Sequence, residues 1–61
     1  MFTDERHEQI RQELADKGRV LAADLAGRFG VSEDTIRRDL RELAKAGECK
    51  RVYGGALPPA P

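Results

Sequence analysis

A mainly α-helical domain closed by a small β-hairpin is the fold these 61 residues predict. Three observations carry it. Apolar residues recur at helical spacing in three stretches: Ile10 and Leu14; Ala22, Leu25, Ala26 and Phe29; Ile36, Leu40 and Leu43. A glycine follows each stretch, at Gly18, Gly30 and Gly47, where a helix can end on a residue of positive φ. After Gly47 the period becomes that of a strand, and Gly54-Gly55 is a two-residue hairpin signal.

The first helix is expected to start at a cap on Thr3 or Asp4 and to run to about Lys17, with Ile10 and Leu14 turned inward. Arg6, Glu8, Arg11, Glu13 and Lys17 read as its solvated outer face. His7 lies on the side of Ile10 and Leu14 and reads as a half-buried packing residue. The chain holds no second histidine, and Cys49 is the one soft companion, so no metal site is expected. Arg19-Val20-Leu21 is either the first strand of a small sheet or a linker, and three residues do not decide between them. The second helix begins near Leu21, where no Ser, Thr, Asp or Asn stands to cap it. Gly30-Val31 then turns the chain into the third helix. Two helices joined by a short Gly-containing turn, over about residues 22–46, are the helix-turn-helix pattern.

The third helix, residues 33–46, is the best specified. Ser32 offers a hydroxyl to its free N–H groups, and Glu33 and Asp34 place negative charge in the first turn, where the helix dipole favours it. At about 100° per residue, Arg37, Arg38, Arg41 and Lys45 fall in one sector beside the apolar stripe, with Asp39 and Glu42 on the opposite flank. Arginine bonds guanine edges in pairs and neutralises phosphates, so such a helix suits the DNA major groove. Taken alone, the same charges also describe a solvated amphipathic helix, and Asp34 is placed to pair with Arg38.

Residues 48–57 read as a wing. Glu48 to Tyr53 is one strand and Ala56-Leu57 a short return strand, stopped by Pro58-Pro59. Cys49 is expected to pack beneath the helices as a small hydrophobe. Arg51 and Tyr53 share its side, further out. They suit a phosphate backbone, or equally an ordinary exposed hairpin. Residues 58–61 look like the start of a proline-rich linker, which bounds the domain at 2–57. The expected core is Ile10, Leu14, Leu25, Phe29, Ile36, Leu40 and Leu43.

Composition sets the limits. Eleven basic and eleven acidic side chains cancel, which argues against a diffuse polycation and leaves room for a local basic patch. One cysteine excludes an internal disulfide framework and fits a reducing compartment. No apolar run has the length of a membrane span, and the charged N-terminus lacks a signal-peptide core, so a cytoplasmic location is expected. No nucleophile–base arrangement or phosphate loop suggests an enzyme.

Three helices and a hairpin make a winged helix-turn-helix. The sequence goes further, and resembles the DNA-binding domain of the DeoR family of bacterial repressors. The resemblance rests on Ile10, Leu14, Gly18, Val20, Leu25-Ala26, Phe29, Val31-Ser32, Thr35-Ile36-Arg37-Arg38-Asp39-Leu40, Gly47, Arg51 and Tyr53-Gly54-Gly55-Ala56. It covers nearly the whole chain. Leu21 stands where the family often has Ser or Thr, Tyr53 where His is frequent, and Cys49 where Leu or Ile is usual. The resemblance implies sequence-specific binding of a double-stranded DNA operator by a regulator, a repressor of a sugar-metabolism operon, with no cofactor. Ser32, Thr35, Arg37 and Arg38 would enter or flank the major groove. Arg51, Tyr53 and the Gly54-Gly55 turn would form the wing against phosphate or minor groove. Arg41 and Lys45 would meet phosphates or remain solvated. Asp39 would orient a neighbouring arginine. Family members resemble two-part repressors whose C-terminal domain senses phosphorylated sugars. Nothing in these 61 residues matches that part, so an isolated, monomeric DNA-binding domain is expected, with a homo-oligomer for a full-length relative. The competing reading is a winged-helix protein-interaction module without DNA binding. Net neutrality favours it; the paired arginines together with the wing motif count against it.

Overall fold

A computed structural model describes residues 1–60. Its elements are α1 (Thr3–Lys17), β1 (Val20–Leu21), α2 (Ala22–Phe29), α3 (Glu33–Lys45), β2 (Lys50–Val52) and β3 (Gly55–Leu57). The extended piece after Gly18 is therefore a strand. Pro61 of the expected linker lies outside the described residues.

The helix ends are set by different chemistry. At α1 the capping position is Phe2, one residue ahead of the expected Thr3. Phe2 has no side-chain acceptor. Its own backbone N–H instead donates to the Glu5 carboxylate at 2.9 Å, half of a capping box. At α3 the Ser32 hydroxyl accepts from the Thr35 N–H at 3.1 Å, as its sequence position predicts. The same helix closes on Gly47 at φ 76°. There the Glu48 N–H reaches the Leu43 carbonyl and the Gly47 N–H reaches Ala44, the paired bonds of a Schellman motif. At α2 no side chain caps Leu21. The Ala22 N–H donates instead to the Gly54 carbonyl at 2.8 Å, so the wing turn supplies the missing acceptor.

The sheet is larger than a hairpin. It has three antiparallel strands in the order β1-β3-β2, with Val20 opposite Ala56 and Arg51 opposite Ala56 from the other side. Val52 pairs with Gly55, so the turn is Tyr53-Gly54, one residue earlier than the Gly54-Gly55 signal suggested. The two glycines do different work. Gly54 turns the chain at φ 82°. Gly55 lies inside β3, where a Cβ would run into the Val20 carbonyl oxygen of β1.

The core gathers Ile10, Leu14, Val20, Ala22, Leu25, Ala26, Ile36, Leu40, Leu43, Cys49 and Ala56. Six of the seven expected core residues are in it. Phe29 is only partly buried and packs on the rim, with the Arg28 guanidinium 5.7 Å from its ring centre. Cys49 is the small hydrophobe expected there. Its thiol donates to the Leu40 carbonyl, and burial raises its pKa. Among the described residues, no helix is long and apolar enough to cross a membrane.

Candidate nucleic-acid interface

The orientation of α3 is fixed from its inner side. Ile36, Leu40 and Leu43 face the core, and Asp39 is buried with them. An isolated carboxylate there would be strongly disfavoured. Arg6 of α1 answers it with a fork, Nε donating to Oδ2 at 2.6 Å and Nη2 to Oδ1 at 3.1 Å. The remaining Arg6 donors reach the Met1 carbonyl and the Thr3 hydroxyl. His7 Nε2 lies 3.2 Å from Asp39 Oδ1 and 3.8 Å from Glu42. Arg6 is thus a buried member of a polar cluster, contrary to the solvated role its sequence position suggested. The hydrogen bond to Asp39 raises the pKa of its guanidinium further. Asp39 does orient an arginine, but that arginine comes from α1. The spacing held a clue: Arg6 precedes Ile10 and Leu14 by one and two helical repeats, on the inward face.

With that side anchored, Arg37, Arg38, Arg41 and Lys45 are exposed on the other. Arg37 is held by acids of its own first turn, with Nη2 3.0 Å from Asp34 and Nη1 3.4 Å from Glu33. The expected Asp34–Arg38 pair does not form, because Asp34 is taken up by Arg37 at i+3. Ser32 and Thr35 meet through their hydroxyls at 3.0 Å, at the start of the same helix. Across a groove of about 440 Å³, Glu33 and Arg37 face Arg51, Val52 and Tyr53 of the wing. Tyr53 at the turn is fully exposed, and Gly54 follows it. Seven of the eight expected site residues thus lie on the start of α3 or the wing; Arg41 lies one turn further along α3. Lys50, an exposed neighbour of Arg51, joins them without any motif in the sequence marking it.

The distribution of charge gives the surface its character. Five of the eleven Lys and Arg residues take part in ion pairs: Arg6, Arg11, Lys17, Arg28 and Arg37. Among the described residues the unpaired six are Arg19, Arg38, Arg41, Lys45, Lys50 and Arg51, and all but Arg19 lie on α3 or β2. Glu8, Glu13, Asp24 and Glu48 are paired away from α3, while Glu33 and Asp34 pair with Arg37 on it. Glu13 receives Arg28 on both oxygens at 2.8 Å and Lys17 at 3.0 Å. Burial raises the pKa of that carboxyl, and the hydrogen bonds from Lys17 and Arg28 outweigh it, leaving the value below its ordinary one. A neutral chain thus gathers most of its unpaired positive charge on α3 and β2. Among the described residues, no group of three His, Cys, Asp or Glu converges to hold a metal.

A helix-turn-helix with an attached wing defines a DNA-binding domain. The chain belongs to the family of DeoR-like helix-turn-helix domains, whose pattern matches residues 6–60. It is 53% identical over 55 residues to a protein of Escherichia coli O157:H7 named for transcriptional repression of the aga operon, a match covering 90% of this chain and 20% of that protein. It is 50% identical over 52 residues to one of Escherichia coli K12 named for repression of the galactitol utilization operon, covering 85% of this chain and 46% of that one. The glycerol-3-phosphate regulon repressor of the same strain is 41% identical over 56 residues, covering 92% of this chain and 22% of the repressor. The chain therefore spans from a fifth to just under half the length of these relatives, all named as repressors and none as an enzyme. No solved structure matches the chain significantly.

Proposed function

We propose that this chain is the operator-binding domain of a bacterial repressor of a sugar-utilisation operon, with its working unit at residues 2–57. The helix over 33–46 enters the major groove and the wing over 48–57 rests on the backbone. Ser32, Thr35, Arg37 and Arg38 meet or flank base edges. Arg41, Arg51, Tyr53 and Gly54 hold the phosphates. The observation that carries this reading is the segregation of charge: five of the six unpaired cations lie on α3 and β2. It also weakens the support that net neutrality gives an interaction module, since a neutral total is compatible with unpaired cations gathered on two elements. In a full-length homo-oligomer, a phosphorylated sugar bound by a separate C-terminal domain would control operator affinity.

The test is the salt dependence of DNA affinity for the 61-residue chain. Contacts to several phosphates make log K fall linearly with log salt, at a slope near −0.9 per neutralised phosphate. A steep slope with residual preference for a selected sequence is expected. Absence of DNA binding at low salt would overturn the reading.

A further inference from the structure

Arg37 differs from every other cation of the proposed interface. Arg38, Arg41, Lys45, Lys50 and Arg51 have no acidic partner among the described residues, while Arg37 has two. Both partners are in the first turn of α3, one and two residues beyond the Ser32 cap. That is where a helix, with its free N–H groups and positive dipole end, would otherwise welcome a phosphate. Glu33 and Asp34 already occupy it with negative charge of their own, which repels a phosphate. They also hold two guanidinium nitrogens of Arg37 in place beside the groove shared with Arg51 and Tyr53.

We propose that Glu33 and Asp34 are specificity-determining positioning residues, which keep Arg37 from being spent on phosphates and release it only to a base edge. The inference rests on the DNA-binding reading above. A phosphate approaching Arg37 must come close to two carboxylates and is repelled by both. A guanine edge is uncharged, and its N7 and O6 accept two donors in one plane. Exchanging the carboxylates for that edge keeps Arg37 bonded without bringing like charges together. Binding is thereby divided. The unpaired cations hold any duplex, and Arg37 adds affinity only where the sequence offers the right acceptors.

The experiment compares the wild-type chain with Glu33→Gln/Asp34→Asn, each tested with Arg37 and with Arg37→Ala. Two duplexes serve as probes: the sequence that the wild-type chain enriches from a random pool, and a scrambled duplex of equal length. Affinities are read across a salt series, with circular dichroism confirming the fold. In the neutral variant, scrambled-duplex affinity should rise several-fold, its salt slope should steepen by about 1, and the ratio of selected to scrambled affinity should fall. Arg37→Ala in that background should abolish the steeper slope. If the gain survives Arg37→Ala, the acids act by diffuse repulsion and the positioning role is wrong. An unchanged affinity ratio also overturns it. Should the double variant lose helix, Glu33→Gln and Asp34→Asn singly carry the same test. A wild-type chain that binds neither duplex would instead overturn the DNA-binding reading itself.

Discussion

At the scale of single residues, position separates the arginines better than pairing does: Arg37 is ion-paired, as Arg11 and Arg28 are, yet it stands on α3 beside the wing. Replacing Arg37 or Arg38 with Ala should lower specific DNA affinity by about 1–3 kcal/mol, while Arg11→Ala or Arg28→Ala should change it far less. Fluorescence anisotropy titrations would check this, and equal losses at all four positions would show binding to be diffuse electrostatics. The buried pair obeys a different rule. Arg6→Ala strands the Asp39 carboxylate in the core and should cost about 3–5 kcal/mol in denaturant melts, whereas the double change Arg6→Met/Asp39→Leu should recover most of the loss. Glu13 gives a pH dependence. Its folded pKa lies below its unfolded value, so its contribution is full above about pH 4.3 and disappears as pH falls through the folded value. Glu13→Gln should therefore flatten the acid limb of the stability curve. An unaltered limb would show that its pairs with Arg28 and Lys17 contribute nothing measurable.

At the scale of elements, the helices were legible in the sequence because each signal is local. Ser32 capping α3, Gly47 ending it and the Ile36-Leu40-Leu43 stripe all lie within one helix. What escaped the sequence depends on residues distant in the chain. The partner of Asp39 is on α1, the acceptor for the start of α2 is the wing turn, and the strand nature of Val20-Leu21 depends on Ala56 and Gly55 beside it. Gly54-Gly55 looks like one turn because two glycines in a row give the same local signal. Only the register reveals that the second lies against another strand. Gly55→Ala should thus be the more damaging of the two substitutions. It sets a methyl group against the Val20 backbone, while Gly54→Ala meets only the strain of positive φ, roughly 1 kcal/mol. Comparing the two melting temperatures would decide, and an equal effect would place the β1–β3 contact in doubt. Leu40→Ala, at roughly 2–5 kcal/mol, should remove much of the stability of so small a domain.

At the scale of the whole molecule, the large exposed apolar side chains among the described residues are Met1, Phe2, Leu21, Val52, Tyr53 and Leu57, and the register puts Leu21, Val52 and Leu57 on one face of the small sheet. Three short side chains are a small area beside a stable dimer interface, so the 61-residue chain is expected to be a monomer that reads one half-site with micromolar or weaker affinity. Fusion to an unrelated dimeric domain should raise affinity for a two-half-site operator by roughly 10²–10⁴, provided the linker lets both copies engage. Sedimentation and titrations on half-site and full-site DNA measure both claims; nanomolar half-site binding would contradict them. The β1–β3 pairing also has a bearing on how the domain opens. These strands flank α2 and α3 in the chain, so their ladder, with the Ala22–Gly54 bond, is the clasp of a ring that encloses the helix-turn-helix. Such a ring does not fray from one end. The clasp amides should exchange with solvent through the same opening event as the centre of α3, and cleavage within the wing should loosen the reading helix even though the cut lies outside it.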